Sequence, residues 1–207
     1  MCNLYRMTKN ADEVAKLFDL AVERGLNSSA EIYPGYVGLV AAEGALRTMT
    51  WGFPLVMKGA KGQPLKPRPV NNARTDKLDG AFWKSSFVSR RCLIPVEAFA
   101  EAEGAKGAKT RTWFSLPDVE MMTVAGIWRD SAEWGASYSM VMTEACIHVA
   151  SIHDRMPVIV EDHDRATWLE GSPDEALHLC RPFEGTLHVA RTPEPWAGGA
   201  PAAPRLL

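Results

Sequence analysis

A chain of 207 residues with 46% hydrophobic and 23% charged residues suits one globular domain with a sizeable core. Its formal net charge of −2 excludes a global attraction to nucleic acid or to an anionic membrane, so only local clusters can supply one. Four scattered cysteines without a CxxC pair and five dispersed histidines exclude a zinc ribbon.

In chain order, the first feature is Met1-Cys2. The opening "MCNLYRMTKN" has no apolar stretch of the secretory kind, and a cytoplasmic protein with free thiols is expected. Loss of Met1 would leave an α-amine and a thiol on one residue. A helix follows, with Asn10 as its cap and Glu13 completing a capping box. Val14, Leu17, Phe18, Ala21 and Val22 form its buried face, and Gly25 stops it. Strand-like runs then dominate: Tyr36–Ala41, Leu46–Trp51, Cys92–Phe99, Thr112–Leu116, Met121–Trp128, Tyr138–Thr143, Met156–Val160 and Leu187–Ala190. Helical pieces are predicted over Asp76–Lys84, Arg165–Glu170 and Pro173–Cys180, the last with Ser172 as cap.

This mixture predicts an α+β fold: a single domain over residues 1–195, with a mainly antiparallel, curved or barrel-like sheet and a few flanking helices. Residues 196–207 read as a flexible tail. No run reaches the roughly 18 apolar residues of a membrane span. A monomer without metal or cofactor is expected.

Between Lys58 and Arg74 lies "KGAKGQPLKPRPVNNAR", with five basic residues and no acid. Its bland reading is a solvated loop; its functional reading is a grip on phosphates. Three further stretches set polar groups beside apolar strands: "NNAR" ending at Arg74, Glu101 after "RRCLIPVEAFA", and His153 and Arg155 in "SIHDRMPVIV". Each alone is compatible with a turn former, a surface acid or a loop histidine.

Together these stretches carry a resemblance. Met1-Cys2, "YPG" at Tyr33–Gly35, "WGF" at Trp51–Phe53, "NAR" at Asn72–Arg74, "RRCLIPVEAFAE" at Arg90–Glu101 and "IHDRMPVIV" at Ile152–Val160 follow one another in the order of the SRAP (SOS-response-associated peptidase) family, which the chain resembles from Cys2 to Val160. The resemblance implies a protein that recognises abasic sites in single-stranded DNA, loses Met1, and forms a covalent adduct through Cys2. It places the family's catalytic residues on Cys2, Asn72, Glu101 and His153, and its phosphate contacts on Arg74 and Arg155. Trp51 is a candidate platform for a base, against the alternative of a core tryptophan. The chain departs from the family at Asn3-Leu4, where Gly-Arg is usual and Arg6 is a candidate substitute, and at Ala100 and Ala102, where bulkier neighbours are usual. Two other classes stay open: a cysteine-type peptidase using Cys, His and Asn, and a non-covalent single-strand-binding module.

Overall fold

The computed structural model describes residues 2–22, 26 and 28–196. Met1, the glycine stop expected at Gly25 and the tail from residue 197 onward lie outside the described residues.

Five strands close a barrel. Val37–Ala42 pairs with Ala45–Trp51 and Arg91–Val96; Met122–Ser131 pairs with Arg91–Val96 and Gly135–Glu144; a parallel pairing of Gly135–Glu144 with Ala45–Trp51 completes the ring. The strands are buried along most of their length because both faces are covered. Their side chains alternate accordingly. Cys92, Ile94 and Val96, with Met140 and Met142, join one core; Leu93 and Val141 join a second. The second core lies against the helices Lys84–Ser89, Arg165–Glu170 and Pro173–His178, through Phe87, Trp168 and Ala176. Buried Arg91 ties helix ends to the barrel, donating to the carbonyls of Trp168, Phe87 and Gly171.

A second sheet carries the chain's beginning. Its order is His188–Pro195, Thr110–Ser115, Ala98–Glu103, Tyr5–Arg6 and Glu31–Ile32. Tyr5–Arg6 is threaded between two strands, pairing Tyr5 with Phe99 on one side and with Ile32 on the other. The architecture is α+β with antiparallel sheets and few helices, as expected.

Several local expectations are corrected. The first helix spans Ala11–Phe18, with the predicted Asn10–Glu13 capping box, and ends at Asp19 in the left-handed conformation. Ala21 and Val22 therefore form a short strand beside Ala45–Leu46, not a third turn. The helix predicted over Asp76–Lys84 is a single 3-10 turn, Thr75–Lys77, followed by a helix over Lys84–Ser89. The strand predicted over Cys92–Phe99 breaks at Glu97, whose carboxylate accepts from the Thr8 and Lys9 amides and the Thr8 hydroxyl. The break sends the chain from the barrel into the second sheet and so places Glu101 beside the N-terminal segment.

Candidate active site

The site is assembled where the second sheet meets the barrel rim. Ala100 donates its backbone N–H to the Leu4 carbonyl at 2.9 Å, which aligns the first residues with the strand bearing Glu101. Cys2 is fully buried, and its thiol faces the Leu4 carbonyl at 3.5 Å. Burial pushes its pKa up, and the Glu101 charge raises it further, so the sulfur is a neutral thiol at pH 7.

Asn72 begins the strand Asn72–Arg74, which runs parallel to Gly135–Glu144 with Asn72 opposite Met140. Its Nδ2 donates to the Cys2 carbonyl at 2.8 Å. Its Oδ1 is buried and meets no partner among the described residues, an unspent acceptor in the site. Asn71 donates to the same Cys2 carbonyl at 2.9 Å and to Asn3 Oδ1 at 3.0 Å.

Glu101 is 3% exposed, and burial raises its pKa to about 7. A carboxyl at that value holds and releases a proton with comparable ease at neutral pH. Asp154 acts on it in the same direction, and Lys109 opposes. The same two charges act on His153, so the Glu101 and His153 segments converge electrostatically. His153 closes a turn, its N–H donating to the Val149 carbonyl at 3.0 Å. Burial lowers its pKa, which favours the neutral ring. Its Nδ1 stands 3.0 Å from the Arg155 N–H nitrogen, 3.2 Å from the Arg155 carbonyl and 3.1 Å from Asp154 Oδ1.

Arg74 and Arg155 meet at one acid. Arg74 holds Asp76 through two hydrogen bonds, of 2.9 and 2.6 Å, and Arg155 stands 3.7 Å from the same carboxylate. Arg6, by contrast, lies 4.0 Å over the Trp113 ring and 3.8 Å from Glu31. The lysine-rich stretch is the tip of a hairpin, Phe53–Leu55 with Arg68–Val70, bridged at Lys58 and Pro64. That hairpin leads straight into Asn71.

Trp51 is corrected as a base platform. It is fully buried, edge-on to Tyr5 at 5.1 Å and stacked on Tyr138 at 6.4 Å, so it offers no face to a base. Its Nε1 donates to the Asn71 carbonyl at 3.0 Å, a supporting role. Sequence reasoning passed over Asn71, although the doubled asparagine of "NNAR" was its signal, and Lys109, which nothing marked. Among the described residues, one group of side chains has metal-ligand spacing, Glu161, His163 and Asp164; it sits on a surface turn and includes none of the site residues. No described helix is long and apolar enough to cross a membrane.

Comparison with known proteins gives the family of the chain. Residues 1–193 match the family described as SOS response associated peptidase (SRAP). The chain is 24% identical over 203 residues to the abasic site processing protein YoqW of Bacillus subtilis, covering 89% of this chain and 88% of that protein. It is 26% identical over 182 residues to the abasic site processing protein HMCES of Xenopus tropicalis, covering 73% of this chain and 54% of that protein. A crystal structure of a Bacteroides thetaiotaomicron protein superposes with a TM-score of 0.77 at 18% identity, covering 92% of this chain and 91% of that one, a likeness of fold. The matched span takes in the Cys2 end, the Asn72 strand, Glu101 and His153, and the chain belongs to the SOS response associated peptidase family.

Proposed function

We propose that the protein processes abasic sites in single-stranded DNA, capturing the open-chain sugar aldehyde on the α-amine and thiol of Cys2 after loss of Met1. The observation that carries this reading is the juxtaposition of a clamped Cys2 with a buried carboxyl whose pKa is about 7.

The chemistry needs a free amine. While Met1 is attached, the Cys2 nitrogen is an amide and cannot attack. Once freed, an α-amine is about 10–15% unprotonated at pH 7, against roughly 0.04% for lysine. It adds to the aldehyde carbon, and the carbinolamine loses water to give an imine. The thiol then adds to the same carbon, its proton leaves, and a five-membered thiazolidine closes. The sum is amine, aldehyde and thiol giving ring and water. The raised thiol pKa fits this order, because a base must take the proton at the moment of addition. Glu101 supplies that base and, when protonated, the acid that helps water leave. The His153 ring donates toward the sugar oxygen, and the orphaned Asn72 Oδ1 accepts from the amine or a sugar hydroxyl. Arg74 and Arg155 take the flanking phosphates by exchanging part of their hold on Asp76.

A papain-like peptidase is less well supported, since its thiolate requires a depressed pKa and here burial raises it.

An oligonucleotide with one abasic site should give a band that survives denaturing electrophoresis, and an intact oligonucleotide should give none. Cys2→Ala should remove the band. Cys2→Ser should recover one only when borohydride reduces the imine. An undiminished band for Cys2→Ala would refute the assignment of the nucleophile.

A further inference from the structure

We infer that Asn71 is a positioning residue for the Cys2 end of the chain, sharing with Asn72 the task of holding the Cys2 carbonyl. The inference rests on the function proposed above and extends it to a residue outside the four candidate catalytic positions.

A carbonyl oxygen has two lone pairs, and here both are engaged by side-chain amides, Asn71 at 2.9 Å and Asn72 at 2.8 Å. Asn71 turns its other use of Nδ2 to Asn3 Oδ1 at 3.0 Å, so one amide grips two successive residues of the chain's beginning. Its own backbone is immobilised in turn. The Asn71 carbonyl accepts from Trp51 Nε1 at 3.0 Å and from the Met140 N–H at 2.9 Å. Trp51 is fully buried and Met140 belongs to a barrel strand. A continuous line of hydrogen bonds thus runs from the barrel core to the residue that carries the amine and thiol.

The physical need is clear. A chain terminus frays by default. An amine and a thiol must reach one carbon in sequence, and small misplacements lower the rate of such steps steeply. Two donors fix the plane of the Cys2 carbonyl and leave the amine and thiol a narrow arc. Asn72 alone holds the oxygen by one bond, about which the plane still tilts. Asn71 Nδ2 is engaged by the Cys2 carbonyl and Asn3 Oδ1, so its loss should slow the covalent step and leave DNA affinity in place.

The test is Asn71→Asp, which keeps the shape and removes the donor. Single-turnover adduct formation is followed against oligonucleotide concentration for the Met1-free protein. The maximal rate should fall about tenfold, with the half-saturating concentration unchanged within about twofold. Asn71→Gln, which keeps a donor, should regain part of that rate. A maximal rate equal to wild type in the aspartate variant, or a loss wholly in half-saturation, overturns the inference while leaving the wild-type adduct intact. Absence of any wild-type adduct overturns the underlying function and this inference with it. If the aspartate variant does not fold, the Asn71 side-chain amide protons of the wild type decide. Slow solvent exchange supports the clamp, and exchange at the rate of an exposed amide overturns it.

Discussion

Glu101 is the residue whose environment the proposed chemistry draws on most. It lies on the strand Ala98–Glu103 and is almost fully buried. Burial raises its pKa from an ordinary 4.5 to about 7. The folded state therefore holds this proton more tightly than the unfolded chain. The associated stability is complete below about pH 4.5 and is lost as pH rises through 7. Glu101→Gln stays neutral throughout, so its advantage in melting temperature over wild type should be small at pH 4.5 and grow by pH 8. The full difference is on the order of 3 kcal/mol at most. A calorimetric pH series showing no such growth would remove the basis for Glu101 as an acid–base group. The same variant should slow adduct formation. Motif resemblance singled out Cys2, Asn72, Glu101 and His153 as candidates in the sequence. It could not show that Trp51 is enclosed by Tyr5 and Tyr138, because indole packing depends on strands 46 and 87 residues away in the chain. Nor does a doubled asparagine announce which amide faces the terminus.

At the level of elements, strand composition was legible and strand limits were not. Buried barrel strands read as apolar runs, and the Asn10–Glu13 box located one helix start. The extra helical turn read into Ala21 and Val22 failed because the parallel pairing with Ala45–Leu46 outweighed the helical spacing. The break at Glu97 was equally silent, since it depends on the Thr8 and Lys9 amides from a distant segment. One position shows how tightly these elements fit. Gly38, in the strand Val37–Ala42, would bring a Cβ within 2.2 Å of the Tyr5 hydroxyl and 2.4 Å of the Tyr138 hydroxyl. Those hydroxyls are themselves 2.6 Å apart, joining the N-terminal segment to the barrel. Gly38→Ala should cost about 1–3 kcal/mol in chemical denaturation. It should also lower the adduct rate, since Tyr5 sits three residues from Cys2. A fully stable, fully active Gly38→Ala protein would contradict this packing.

Over the whole molecule, the formal charge of −2 means that the proposed hold on DNA rests on local cations. Arg74 and Arg155 share Asp76, and the lysine-bearing hairpin runs into Asn71 at the site. Binding to an intact single strand should then weaken with salt, and each arginine removed should reduce the slope of log affinity against log salt by about 0.7. Arg155→Gln and Arg74→Gln, measured by fluorescence anisotropy, test this; an unchanged slope in both would move the phosphate contacts elsewhere. The site itself is a product of the whole fold. It unites the chain's beginning, a hairpin exit, a strand after a bend and a turn before another strand, which only the closed barrel and second sheet bring together. The order of motifs along the sequence implied that union, while the pairings that achieve it emerge only in three dimensions.

The central claim is that Cys2, freed of Met1, becomes covalently joined to an abasic sugar. Intact mass spectrometry of the purified protein, alone and after incubation with an abasic oligonucleotide, tests it in one experiment. The account predicts a free protein lighter by one methionine residue, and a second species heavier by the oligonucleotide less one water. A protein that retains Met1 yet forms the adduct, or a Met1-free protein that never does, would contradict it.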